Sequence, residues 1–352
     1  MAAYSLTGIE IAGVAAAVPR ATVANDDYPF QSALERNLFI QNTGVAYRRV
    51  APAHLTAADL CRAAAQSLLK ASQVSPAEVG LLVFVTQTPD YTIPSNAPHL
   101  QHLLGLPDSA IAMDINQGCA GYVYGLSVAS GLMQACGAQY ALLLVGDVST
   151  RCLSPEDKSV APLFSDAGSA TLLQKQGNSS AWHFHLGTDG SGYDNIIIPA
   201  GGSRQPLNAE MLKPRRVDEG IVRARNQLIL AGIPVLNFSV KRVPDSVKAV
   251  LDHASWLPEE VDFYLFHQAN LLLNETIRKR LQLPAEKVPY SLQQYGNTSS
   301  ATIPITLVSR LAHQLTQLSL KLVFSGFGVG LSWGSVAMET KHWIVPPLLE
   351  LD

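Results

Sequence analysis

Three polar residues stand where apolar runs stop and turns begin. Cys119 lies in Asn116-Gln117-Gly118-Cys119-Ala120-Gly121-Tyr122, after the apolar run 111–115 and before a long stretch of small residues with helical character. A strand that turns on glycine and re-enters as a helix puts one side chain at a helix N-terminus. Unpaired N–H groups and the positive end of the macrodipole favour an anion there, so the Cys119 thiol is expected to lean toward the nucleophilic thiolate. His267 ends an apolar run in Phe266-His267-Gln268-Ala269-Asn270, and Asn297 lies in Tyr295-Gly296-Asn297-Thr298-Ser299-Ser300. Ligands of α/β layers sit at strand ends. Taken singly, each residue has an ordinary reading: a small buried hydrophobe, a hydrogen-bonded core histidine, a Gly-Asn turn. Only the three together point to a site.

The elements that must position them alternate between strand and helix, which is the signature of α/β layering. Apolar runs predict strands at 6–13, 81–86, 111–115, 141–145, 167–173, 263–267, 320–325 and 331–339. Helical patterns cover 56–71, 96–104, 120–136, 243–254, 271–281 and 301–315, the first opened by a Thr56-to-Asp59 capping box. The two halves echo each other. Leu81-Leu82-Val83-Phe84-Val85-Thr86-Gln87 is similar to Phe263-Tyr264-Leu265-Phe266-His267-Gln268, and each turn-to-helix segment is followed by an apolar strand ending in glycine, at Gly146 and Gly326. That pattern predicts a pseudo-two-fold duplication with boundaries 1–175 and 176–352. Residues 187–212, rich in Gly, Pro, Ser and Asn, read as a long loop joining the halves, and such loops often border sites.

The totals exclude several classes. At 352 residues the chain suits two domains or one large duplicated one. Apolar residues at 47% and charged residues at 15% supply a large core and argue against disorder. A net charge of −3 leaves no basic footprint for nucleic acid. Four cysteines without paired spacing predict neither a disulfide framework nor a zinc site and fit a reducing cytoplasm. His99 with His102, and His183 with His185, lack a carboxylate or Cys at ligand spacing, so no metal is expected. No apolar run reaches the ~18 residues of a membrane span.

At Gly118-Cys119-Ala120-Gly121, His267-Gln268-Ala269-Asn270 and Gly296-Asn297-Thr298-Ser299, the chain resembles the β-ketoacyl-acyl carrier protein synthase III family. Gly326-Phe327-Gly328-Val329-Gly330-Leu331-Ser332-Trp333-Gly334-Ser335 is similar to that family's closing glycine-rich loop, and Thr43-Gly44-Val45 with Arg48 and Phe164-Ser165-Asp166-Ala167-Gly168-Ser169-Ala170 also match. The resemblance implies a thiolase-like, five-layered αβαβα duplication, a homodimer or a heterodimer with a related subunit, no bound cofactor, and acyl-CoA or acyl-carrier-protein thioesters as substrates. It implies that Cys119 takes an acyl group and that His267 and Asn297 hydrogen-bond the enolate of a decarboxylating malonyl-type thioester. The backbone N–H groups of Cys119 and Val329 form the implied oxyanion hole. Phe327 matches a shielding position beside the nucleophile. Ile93 matches a position that reaches across the dimer into the partner's acyl pocket.

The chain departs from that pattern where the family's initiating enzymes hold CoA. A stacking Trp is replaced by Leu38, an Arg by Lys158, a second Arg by Asn42, and the basic residue after His-Gln-Ala-Asn-Leu by Leu272. Losing a stacked aromatic–cation contact removes about 1 kcal/mol, and Lys lacks the planar fork of Arg. A specialised relative with an unusual acyl group or a carrier-bound donor is therefore expected. Two rivals remain: a same-fold acyltransferase that passes the acyl group to a hydroxyl or amine, and a papain-like cysteine protease, whose Cys…His…Asn order this chain shares. The basic cluster Lys213, Arg215 and Arg216 suits an acidic carrier, a CoA phosphate or plain solvent.

Overall fold

Leu81, Val83 and Val85 face one way along the strand Val79–Val85, Leu82 and Phe84 the other, and all five are buried. A strand buried on both faces needs a helical layer on each side. The computed structural model describes residues 2–177 and 179–352 and supplies those layers twice. A six-stranded sheet runs in the order Leu349–Leu351, Ile9–Pro19, Ala167–Lys175, Tyr140–Asp147, Val79–Val85, Ile111–Ile115. A five-stranded sheet runs Ala2–Leu6, Trp182–Thr188, Ser332–Glu339, Lys321–Gly328, Phe263–Phe266.

Between the sheets lie the helices Gly121–Cys136 and Thr302–Arg310. Val123, Leu126, Met133, Ile303 and Leu307 pack there against inward residues of both sheets, including Val83, Leu143, Leu265 and Phe324. Ala57–Ser72 and Asn96–Leu103 cover the outside of the first sheet. Gly232–Ala254 and Leu271–Arg280 cover the outside of the second. The result is the five-layered αβαβα arrangement.

The predicted capping box closes reciprocally, with Thr56 Oγ1 accepting from Asp59 N and Asp59 accepting from Thr56 N. Three boundaries differ from expectation. The strand expected at 6–13 is two strands, Ala2–Leu6 and Ile9–Pro19, in different sheets, with Gly8 at φ 78 between them. The helix expected from 243 begins at Gly232 and carries Pro244 inside it. The helix expected over 301–315 breaks at Leu311 into Thr302–Arg310 and Ala312–Gln317. The two ends of the chain also exchange sheets: Ala2–Leu6 joins the second, and Leu349–Leu351 joins the first.

Candidate active site

Cys119 follows the edge strand Ile111–Ile115 through a turn in which Gly121 N donates to Gly118 O at 2.6 Å. Ala120 caps the helix Gly121–Cys136, so Cys119 sits one residue before the first orphan N–H groups. Gly118 leaves no room for a side chain, because a Cβ there would lie 2.5 Å from Val329 Cγ1. Val329 thus packs directly on the turn that carries Cys119. Gly328 approaches from the same side: a Cβ there would lie 2.6 Å from Cys119 Cβ and 2.8 Å from its Sγ.

His267 leaves the strand Phe263–Phe266 with its N–H donated to Ser325 O at 2.8 Å. The run after it is locked locally. Asn274 Nδ2 donates to His267 O at 3.0 Å, and Asn270 Oδ1 accepts from Leu273 N at 2.8 Å as the cap of the next helix. The His267 ring meets Phe327 edge-on, with centroids 5.5 Å apart.

Asn297 is placed by the other half of the molecule. Its N–H donates to Leu163 O at 3.0 Å, and its own carbonyl accepts from Ser165 N at 2.9 Å. Gly296 turns the chain at φ 55, a conformation that suits glycine. The Asn297 amide is oriented at both ends: Oδ1 accepts from Ser299 N at 2.9 Å, and Nδ2 donates to Ala269 O at 3.3 Å. An amide nitrogen has two hydrogens, so one remains for a ligand.

Cys119, His267, Asn297, Phe327, Val329 and Leu272 all line one cavity of about 220 Å³. Its remaining walls are mostly apolar, with Leu163, Phe164, Ile196, Leu228, Leu230 and Leu236 among them. Ile196, Ile198, Leu228 and Leu230 come from the segment that connects the halves, part of which falls in the loop expected over 187–212.

Leu38, Asn42, Lys158 and Ile93 fall outside this lining. Leu38 and Asn42 are exposed on the helix Ala33–Thr43, and Leu272 is exposed on the first turn of Leu271–Arg280. The Lys158 ammonium is taken by Glu35 at 2.6 Å. Ile93 is 86% exposed. In the basic cluster, Lys213 and Arg215 both pair with Glu210.

The charge state of Cys119 differs from expectation. Burial pushes its thiol up to about 11, and Asp147 adds to the rise. Hydrogen bonds from Val329 N–H, from its own N–H and from Ser299 pull the other way without winning. The resting residue is a thiol, and its proton needs an acceptor. Burial lowers His267 to about 3, so its imidazole is neutral.

Sequence reasoning missed Ser299, Thr302 and Asp147. Thr302 Oγ1 lies 2.8 Å from His267 Nδ1. Buried Asp147, at the end of Tyr140–Asp147, accepts from Gln87 N at 2.7 Å and Ser300 Oγ at 2.6 Å. The hydroxyl-rich run Ser299-Ser300-Ala301-Thr302 was the available signal.

Comparison with known proteins places the whole chain among similar sequences and structures. The family profile described as 3-oxoacyl-[acyl-carrier-protein (ACP)] synthase III matches residues 113–190, and that of its C-terminal part matches 251–340. A β-ketoacyl-[acyl-carrier-protein] synthase III of Rhodopirellula baltica is 34% identical, covering 94% of this chain and 98% of the relative. A putative 3-oxoacyl-[acyl-carrier-protein] synthase 3 of Campylobacter jejuni is 32% identical, covering 94% of each. The crystal structure of a 3-oxoacyl-(acyl-carrier protein) synthase from Burkholderia xenovorans LB400 superposes with a TM-score of 0.93 at 37% identity, covering 99% of both chains.

Proposed function

The chain belongs to the 3-oxoacyl-[acyl-carrier-protein] synthase III family of acyl-thioester condensing enzymes, and on that premise we propose that Cys119, His267 and Asn297 are its catalytic residues. One observation carries the reading: a thiol from the first half and an imidazole and an amide from the second line a single apolar cavity. The halves 1–175 and 176–352 divide the work, the first carrying the nucleophile and the second the hydrogen-bonding pair.

In the first stage Cys119 sulfur attacks the carbonyl carbon of an acyl thioester, and the carrier thiol leaves. The N–H groups of Cys119 and Val329, both directed at the sulfur, stabilise the tetrahedral oxyanion. In the second stage a malonyl-type thioester loses CO2. His267 Nε2 and the free hydrogen of Asn297 Nδ2 receive the charge that develops on its thioester oxygen. Phe327, packed edge-on against His267, keeps water from the reacting carbon. The carbanion attacks the acyl-Cys119 carbonyl, and a β-ketoacyl thioester results. A neutral amide at Asn297 favours this course over transfer to a hydroxyl, which would profit from a carboxylate base. The protease reading has no support in the fold.

The donor is delivered by a mouth unlike the CoA cradle of the initiating enzymes. At the four positions where the family's initiating enzymes hold CoA, Leu38 and Leu272 offer no stack, Asn42 offers no positive charge, and Lys158 is already paired with Glu35. This favours a specialised acyl group or carrier-protein delivery. A dimer is part of this reading, supported by the open sheet edge at Ile111–Ile115 and by the 86% exposure of Ile93.

The test is intact mass after incubation with a panel of acyl-CoA and acyl-carrier-protein thioesters. An adduct that forms on the wild type and vanishes in Cys119→Ala is expected. If no thioester gives such an adduct, the assignment of Cys119 fails.

A further inference from the structure

Arg48 takes no part in the lining of the active-site cavity. It lies on the short strand Tyr47–Arg49, directly opposite Val23 on Thr22–Ala24, and is only 8% exposed. Its Nε donates to Asn25 Oδ1 at 3.0 Å. No carboxylate forms an ion pair with the guanidinium among the described residues. Asp166, whose charge acts on Arg48 from nearby, is engaged elsewhere. Its Oδ1 accepts from Thr150 N at 3.0 Å, and its Oδ2 accepts from Ala51 N at 2.8 Å and from Thr150 Oγ1 at 2.6 Å. Burial lowers the Arg48 pKa, and a buried cation ordinarily has a counter-charge in contact.

Arg48 borders a second hollow, an open groove of about 970 Å³. Val23, Val50, Leu153, Pro155 and Ala161 give it an apolar wall. Its rim is tied in place: Tyr28 Oη donates to Pro155 O at 3.0 Å, and Arg151 Nη2 reaches the carbonyl oxygens of Pro52, Ala53 and Leu55 at 2.9, 3.0 and 2.7 Å. The turn Ser149–Cys152 divides this groove from the active-site cavity. Ser149 and Cys152 line the cavity, whereas Thr150 and Arg151 line the groove. Asp27 and Glu156 also border the groove, but both are exposed, where water and salt screen them. Arg48 is the one buried charge in the lining.

We propose that this groove is a second ligand site, built for a carboxylate that carries an apolar chain. The carboxylate pairs with the terminal nitrogens of Arg48, whose Nε is already engaged by Asn25. The chain lies along Val23, Val50 and Leu153. A bare inorganic anion suits the groove less well, because one buried cation stands among apolar walls. The site does not depend on the role of Cys119.

The test is calorimetric titration of the full chain with octanoate, with acetate and octylammonium as controls. Octanoate is expected to bind saturably at one site, roughly tenfold or more tighter than either control. Arg48→Gln is expected to weaken octanoate by roughly tenfold to a hundredfold, the usual range for losing a hydrogen bond to a charged group. Ala53→Trp places a large ring at the exposed edge of the groove and leaves Arg48 intact. It is expected to weaken octanoate as well, and it decides the matter if Arg48→Gln fails to fold. Absence of saturable octanoate binding overturns the proposal. So does unchanged affinity in Ala53→Trp or in folded Arg48→Gln, which would put octanoate in the active-site cavity. Octylammonium binding as tightly as octanoate overturns it too, because Asp27 and Glu156 would then govern the groove.

Discussion

Ser300 Oγ donates to Asp147 Oδ2 at 2.6 Å, and that bond ties the end of a first-sheet strand to the turn carrying Asn297. Asp147 is fully buried, and burial lifts its pKa above the ordinary carboxylate range. Its hydrogen bonds to Ser300 and to Gln87 N work against that rise. The carboxylate therefore joins the strand end at Thr86-Gln87 to the second-half turn.

Removing the donor should be costly. Ser300→Ala leaves a buried carboxylate oxygen short of a partner, worth about 1–3 kcal/mol. The expected result is a melting temperature lower by several degrees at neutral pH. An unchanged melt would mean that the bond contributes nothing to holding the halves together.

The pair that receives enolate charge should separate the two stages. His267→Ala and Asn297→Ala are each expected to cut CO2 release from labelled malonyl thioester by about 10²–10³-fold. Asn297→Ala should leave acyl loading near normal, since the amide has no part in taking the Cys119 proton. Undiminished CO2 release in both variants would remove their assigned roles.

Gly328→Ala tests the close approach to the nucleophile. Its Cβ would lie 2.8 Å from Cys119 Sγ, so the sulfur or the loop must move. A displacement of about 1 Å at a reacting atom can cost about 10²-fold. Acylation should fall by that order, and the melt should fall too, since φ +154 strains any side chain at this position. Wild-type acylation would show that the loop adapts freely.

His267 also makes stability depend on pH. Burial holds its folded pKa at about 3, below the ordinary histidine value of 6.5. Between those values the unfolded chain binds a proton that the folded chain refuses, so stability is lost as pH falls through this window. The slope contributed by one such group is at most about 1.4 kcal/mol per pH unit. Asp147, raised rather than lowered, acts with the opposite sign in both proteins and cancels in a comparison. Denaturant titrations at several acidic pH values should show a shallower decline in His267→Asn than in the wild type. Parallel declines would contradict a buried neutral imidazole.

Much of the site was legible because its three principal residues interrupt patterns. Cys119, His267 and Asn297 each break an apolar run or follow a glycine, and a strand end is a place sequence can mark. What surrounds them was not. Thr302 begins a mostly apolar helix, and nothing in its spelling says that its hydroxyl faces an imidazole across 35 positions. The thiolate expected at Cys119 failed for a related reason: a helix N-terminus is a local feature, whereas the desolvation that outweighs it comes from walls supplied by distant segments. The strand Trp182–Thr188, central to the second sheet, escaped because His183 and His185 occupy one of its faces, with His185 buried on Ser246 at 2.9 Å.

The exchange of chain ends has a mechanical consequence. Ala2–Leu6 is the outer strand of the sheet that bears His267, and Leu349–Leu351 is the outer strand of the sheet that leads to Cys119. A cut between residues 175 and 176 would thus yield two pieces, each holding the other's selvedge. Neither fragment could complete its own sheet, and reassembly would have to proceed by mutual strand donation. The catalytic halves are fastened less like two blocks glued at a face than like a belt passed through its own buckle.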